Sequence, residues 1–490
     1  MATNRQSWAR GGTSVTFAVL ALSVCSFVLL QSLTVPVLTT IQAELDTDQQ
    51  TVTWVLTAYL LSASICTPLL GRVGDVVGKV RMLVLCLVLL SVGSLLAALA
   101  PNVGWMIAAR VVQGAGGGVL PLSFGIIRDE FDAKMNSALS VLASLTAVGF
   151  GVGIVIAGPI VDGLGYAWLF LLPMCATLVA AVTAFLVVPE SPVRTPARLP
   201  VLPAVLLAFF LVALLLGLSW GNEHGWLSGR VLGLFALAAV TGWAWVRTEL
   251  RVPVPMIDMH LMRRRGMWTA NVVAGAMGFA TFAAFGFVPQ LLQTPTEAGY
   301  GFGATITESG YLLVPSAAAS FLVGFTTARL IAWMGARVVI GSGLMLAGVS
   351  FLSIAFFHDA TWQLYAATTV QGVGSGLVFS SLAGVVIAAV PAEQTGVASG
   401  MNANIRTIGG SLGTAVMAGI VTAHVGTSGF PVERGYTVGF TVMGVVMILA
   451  TLAAAKIPDL RLQPTRNHLA DAENAELGLV ASADALGPRR

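Results

Sequence analysis

Arg110 and Arg406 carry fixed positive charge inside long apolar runs, and no carboxylate stands at comparable depth in any run. An ionisable side chain in that setting is costly to bury and marks a pathway or a site. A guanidinium there can hold an anion through charge-assisted hydrogen bonds, or sit beside a group that exchanges a proton. Six amides lie at similar depth: Gln31, Gln113, Gln290, Gln371, Asn402 and Asn404. With the two arginines they can line a cavity for an anionic or neutral polar substrate. Each amide can equally bridge two helices, and each arginine can instead satisfy backbone carbonyls. The other candidate carboxylates sit at the ends of runs, Asp75 at one edge and Asp162 and Glu308 at the other. A helix C-terminus disfavours an anion, so Asp162 suits a proton site; a hydrated interfacial carboxylate is the alternative.

The elements that must position these groups are read from the composition. Of 490 residues, 56% are hydrophobic and only 10% charged. Soluble domains carry about a quarter charged residues, so these charges cannot coat a soluble surface and a membrane class is implied. A spanning helix needs ~20 apolar residues. Fourteen runs qualify, at roughly 15–40, 51–71, 82–100, 104–127, 137–161, 166–188, 201–220, 231–247, 268–292, 307–333, 338–357, 362–390, 398–424 and 437–457. Their length and lack of alternation point to helices, not barrel strands. Most of the 25 Lys and Arg fall in the termini and in the loops on the N-terminal side. By the positive-inside rule both termini are cytoplasmic. The net charge of +3 is therefore a topology signal, and no basic cluster with interleaved aromatics suggests nucleic acid.

The chain also repeats itself. Gly78-Lys79-Val80-Arg81 is echoed by Gly335-Ala336-Arg337, and Trp105 by Trp362. Val112-Gln113-Gly114-Ala115-Gly116 returns as Val370-Gln371-Gly372-Val373-Gly374, about 257 residues on. Duplicated halves around a midplane site are a transporter plan. The expected organisation is an N-terminal six-helix bundle over 1–190 and two extra helices with cytoplasmic linkers over 191–265. A C-terminal six-helix bundle follows over 266–460, then a polar cytoplasmic tail over 461–490.

Three motifs carry a resemblance. The first is Gly71-Arg72-Val73-Gly74-Asp75-Val76-Val77-Gly78-Lys79-Val80-Arg81, read as a short charged turn between two spans. The second is Arg110-Val111-Val112-Gln113-Gly114. The third runs from Gly149 to Gly163 and holds Gly153 and Gly158-Pro159. Together they resemble the major facilitator superfamily, and with fourteen helices its drug:proton antiporter branch, over the chain to about 457. The resemblance implies an all-α polytopic major facilitator fold. It implies that Gly71, Asp75, Gly78, Lys79 and Arg81 form a gating latch; a merely solvated turn is the alternative. It implies that Arg110 couples protons or holds substrate, and that Gly153, Gly158 and Pro159 form a hinge. One departure stands out. Members of that branch commonly carry an aspartate where this chain has Gln31, and glutamine cannot bind and release a proton.

The function expected is secondary export of drugs or hydrophobic metabolites by alternating access, driven by the proton gradient. The alternative is export of a lipid, or of a dedicated anionic or neutral metabolite with atypical coupling. The expected partners are a small-molecule substrate, protons and the bilayer, with no nucleic acid, and the chain is expected to be a monomer in a bacterial inner membrane. An enzyme is not expected. The five histidines (His224, His260, His358, His424 and His468) are scattered, without metal spacing, and no CxxC joins the four cysteines. The glycine clusters lack the Lys-Ser/Thr of a phosphate loop, so no ATP site or other cofactor is expected.

Overall fold

A computed structural model describes residues 12–458, apart from 35–36, 48, 132–134, 191–200, 253–254, 256, 392–393 and 423–430. The expected tail, His424 and His468 lie outside the described residues. Among the described residues the regular elements are helices. The first part holds α1 (Thr13–Ser32), α2 (Leu38–Glu44), α3 (Gln49–Val77), α4 (Lys79–Ala98), α5 (Val103–Gly114), α6 (Val119–Glu130), α7 (Met135–Leu164) and α8 (Trp168–Val187). The middle holds α9 (Val201–His224), α10 (Gly229–Glu249) and the short α11 (Met259–Met262). The last part holds α12 (Arg265–Gln293), α13 (Ile306–Tyr311), α14 (Val314–Met334), α15 (Ala336–Phe356), α16 (Thr361–Ala388), α17 (Thr395–Thr422) and α18 (Glu433–Ala454).

Twelve helical stretches among the described residues are long and apolar enough to cross a membrane. Two expected spans are not among them, for different reasons. The run 104–127 is divided into α5 and α6 by a turn at 115–118, where Ala115-Gly116-Gly117-Gly118 offers poor helix propensity. The run 398–424 is one 28-residue helix, α17. Its Asn402, Asn404, Arg406 and Thr407 make it too polar to pass as a lipid-facing span.

The apolar surface faces two ways, which explains the unbroken hydrophobic runs. On α4, Leu83, Leu87 and Leu90 are buried, while Leu85, Val88, Val92 and Leu95 are exposed. A helix between lipid and a packed core is hydrophobic all round. The largest buried cluster is built from residues 261–457, and the two next largest come mainly from residues 19–188. A smaller cluster joins α9 and α10 to α17 through Leu207, Leu211, Trp245, Val397 and Met401. Thus α9 lies across a seam where α3 and α17 meet.

The charged stretch 71–81 is not the loop that its composition suggests. Residues 71–77 complete the last turns of α3, and only Gly78 interrupts the helix before α4 begins. Gly78 has φ +132°, a conformation that glycine adopts without a Cβ penalty. Helices outrun the apolar core of the bilayer, so an apolar run marks a helix interior but not its end. The matching glycine of the repeat, Gly335, also has positive φ, +84°, at the junction of α14 and α15.

Candidate functional site: a central cavity and its polar walls

The residues before 190 and those after 265 meet along two seams. In one, α7 runs beside α13 and α14. Gly151 packs on Ala317, Gly158 on Thr307, and Ser144 Oγ lies 2.8 Å from Ser380 Oγ of α16. In the other, α3 meets α17 at the end of α3 nearest Gly78. A Cβ added to Gly71 would stand 2.8 Å from the Gly396 carbonyl oxygen, so only glycine permits this approach. Arg128 of α6 reinforces the same end. It donates to Ile387 O, Val390 O, Pro391 O and Thr395 Oγ1 at 3.1, 3.0, 3.2 and 2.5 Å.

Asp75 is 1% exposed at this junction. An added Cβ at Gly396 would lie 3.0 Å from Asp75 Oδ1, so the carboxylate faces the first turn of α17, where backbone N–H groups favour an anion. Lys79, equally buried, lies 4.0 Å from Asp75 and 2.5 Å from Asp129 Oδ2. Arg81 is not brought to Asp75. Its side chain is largely exposed, and its Nε lies 3.8 Å from Glu190. Glu190 also accepts from the backbone N–H groups of Val80 and Arg81 at 3.1 and 3.3 Å, capping α4. Nothing in the sequence signals the pairing of Asp129, Glu190 or Arg128, because their partners are remote in the chain.

Two adjoining cavities lie between the seams. They share Gln31, Leu60 and an aromatic collar of Phe150, Phe282 and Phe285, in which Phe150 and Phe285 stack at 4.4 Å. The side cavity has a volume of about 410 Å³ and is walled by α3, by Leu215, Leu218 and Ser219 of α9, and by α17. Its polar corner is a chain of contacts. Gln31 Nε2 donates to Tyr59 Oη at 2.7 Å, and the Arg110 guanidinium lies over the Tyr59 ring, 4.5 Å from its centroid. Arg110 donates to Val55 O at 3.0 Å and to Gln113 Oε1 at 2.7 Å, and Gln113 Nε2 donates to Ser94 Oγ at 2.8 Å. No carboxylate pairs with Arg110 among the described residues. Tyr59 is central here, yet its only sequence signal is the weak echo of Tyr59-Leu60-Leu61 in Tyr311-Leu312-Leu313.

The central cavity, about 120 Å³, takes residues from both parts of the chain. Gln31, Gln371, Asn404 and Arg406 line it together. Gln371 is held in place, accepting from Ser316 Oγ at 2.9 Å and donating to Ser375 Oγ at 3.0 Å. Other expected lining residues are elsewhere. Asn402 bridges α17 to α12, donating to Asn271 Oδ1 at 3.0 Å. Gln290 is exposed on α12 and lines neither cavity. Asp162 is exposed in the last turn of α7, away from both. Glu308 instead closes a capping box with Thr305 at the start of α13, accepting from its backbone N–H at 2.8 Å. Gly149 and Gly153 press α7 onto α1 at Val28 and Ser32, and α7 continues through Gly158-Pro159 to Leu164.

A helical multi-pass protein whose two parts enclose a polar-lined cavity has the architecture of a membrane transporter. The chain belongs to the Major Facilitator Superfamily, whose family model matches residues 20–414 and again 267–482. Among its relatives, the multidrug transporter protein MdtP of Bacillus subtilis is 26% identical over 76% of this chain and 69% of its own length. A uridine/deoxyuridine transporter of Lactococcus lactis is 26% identical over 92% of this chain and 95% of its own. The human organic anion transporter MFSD10 superposes with a TM-score of 0.66 at 16% identity, covering 90% of this chain and 99% of that one. That last likeness concerns the fold alone.

Proposed function

We propose that this protein is a secondary exporter of drugs or other hydrophobic small molecules in a bacterial inner membrane. In this reading two six-helix bundles rock about the central cavity, and α9 and α10 bring the crossings to fourteen, with both termini cytoplasmic. The divided α5–α6 segment and the polar α17 supply the two crossings that hydropathy alone does not mark. The observation that carries the reading is a cavity lined from both parts of the chain and collared by Phe150, Phe282 and Phe285. Closure around Gly71, Asp75 and Arg128 corresponds to a shut cytoplasmic gate, which must part for substrate to enter from inside. The protein works as a monomer, since the cavity is enclosed by one chain.

Coupling to protons is part of the proposal. Gln31 cannot carry a proton, so the candidate carriers are the carboxylates Asp162 and Glu308, with Arg110 and its partners Tyr59 and Gln113 holding the polar corner through which coupling would act. The test is efflux of ethidium and of an uncharged dye from cells lacking their main pumps, with and without an uncoupler. Uncoupler-sensitive efflux supports proton-driven export. Efflux that persists unchanged in the uncoupler rejects the coupling, and no efflux of either dye rejects the broad substrate range.

A second reading, a dedicated transporter of an anionic or neutral metabolite, has one observation in its favour. No Asp or Glu lines either cavity among the described residues, while Arg110 and Arg406 do.

A further inference from the structure

The wall of the central cavity contributed by α12, α14 and α17 contains three buried polar atoms with no hydrogen-bond partner, and beside them the half-buried Arg406. Thr281 Oγ1, Ser320 Oγ and Asn404 Nδ2 are fully enclosed and make no hydrogen bond. Thr281, Ser320 and Asn404 are 5%, 2% and 2% exposed. All three residues line the cavity, and so does Arg406. The Arg406 guanidinium lies over the Phe379 ring, 5.2 Å from its centroid, and has no ion-pair or hydrogen-bond partner among the described residues. A buried polar group left unpaired costs about 1–3 kcal/mol. Unpaired hydroxyls also occur singly at Ser64, Ser399 and Tyr436. Only here, among the described residues, do three unpaired polar atoms share a cavity wall with a half-buried guanidinium, and a ligand that reaches this wall can satisfy them.

Their chemistry specifies that ligand. An amide N–H, two hydroxyls and a guanidinium can all donate, and the guanidinium and amide nitrogen can only donate. With no carboxylate in the wall among the described residues, they match an acceptor-rich anion better than an ammonium group. The aromatic collar and the Leu215–Leu218 wall of α9 beside it match an apolar body. We infer that Arg406, Asn404, Thr281 and Ser320 form an anion-binding subsite, and that among hydrophobic small molecules the cavity prefers amphiphilic organic anions. The carboxylate, sulfonate or phosphate head meets Arg406 while the apolar tail lies in the aromatic collar. The inference rests on the central cavity being the substrate site proposed above. It assigns the polar end of that site to one wall.

Three probes with one tail test it: octanoate, octanol and octyltrimethylammonium. Their binding to the purified full chain in lipid nanodiscs is read as a saturable rise in apparent Tm, with no gradient present. Octanoate is expected to bind at least about tenfold tighter than either other probe, the scale of one charge-assisted hydrogen bond. Arg406→Gln is expected to abolish that preference and Arg406→Lys to retain part of it. Asn404→Asp is expected to turn the preference toward octyltrimethylammonium, a gain that a merely damaged fold does not give. Equal response to the three probes, or a preference untouched in Arg406→Gln and Asn404→Asp, overturns the subsite. Octanoate selectivity in a protein that exports no dye supports the subsite and removes the broad-range exporter reading. The two conclusions therefore fail separately.

Discussion

At the residue scale, the informative groups are those whose polarity the bilayer penalises. Arg110 bonds Val55 O and Gln113 and lies over the Tyr59 ring, so among the described residues its charge is held by dipoles and a π face and not by a counter-ion. Replacing it by alanine strands Gln113 and Val55 O. We expect Arg110→Ala to destabilise the purified protein by about 2 kcal/mol and to abolish transport. A retained Tm with normal efflux would remove any role for the network. Tyr59→Phe removes only the hydroxyl that accepts from Gln31, and is expected to cost about 1 kcal/mol in a thermal melt. Gln31→Asp places a titratable carboxylate beside Tyr59 and Arg110. Efflux by that variant should become steeply dependent on external pH, whereas a profile matching that of the parent would show that position 31 does not face the coupling path.

At the scale of elements, the close approaches between helices decide which faces can open. The α3–α17 contact at Gly71 and Gly396 leaves no room for a side chain, and Arg128 ties α6 to the end of α16 and the start of α17. Here backbone meets backbone, so a side chain added at Gly71 can be accommodated only by moving one helix away from the other. Gly71→Val is therefore expected to wedge this seam apart. The check is labelling of a cysteine introduced at Ser399, buried beside the junction, by a membrane-impermeant maleimide in inside-out vesicles. Labelling should rise severalfold in Gly71→Val, and an unchanged rate would mean that the seam stays shut. The broken segment α5–α6 shows the same principle: the Gly114–Gly118 turn lets the chain pass close to Tyr59 and Thr67, at the expense of a continuous helix.

At the scale of the whole molecule, α9 belongs to the cavity as well as to the lipid-facing surface. Leu215, Leu218 and Ser219 close the side of the α3–α17 seam that neither flanking part covers. Filling this wall should change what is transported more than it changes folding. Leu218→Trp is expected to lower efflux of a bulky dye severalfold while sparing a small one, with a Tm close to that of the parent. Equal loss for both dyes would mean that α9 supports the fold without shaping the cavity.

Hydrophobic run length made the membrane class, the helical architecture and most span positions legible, because the bilayer imposes one length and one backbone solution on any spanning segment. The repeat placed Gly78 opposite Gly335 and Gln113 opposite Gln371, and depth within a run singled out Arg110 and Arg406. Pairing was not legible. That Lys79 meets Asp129, that Arg81 turns to Glu190, that Gln290 faces away from the cavities and that Tyr59 lies under Arg110 depend on helix rotation and on contacts between distant segments. In helices apolar on every side, periodicity does not reveal which face is buried. Only the tertiary structure decided it, through the glycine contacts that set how closely and in which rotation the helices meet.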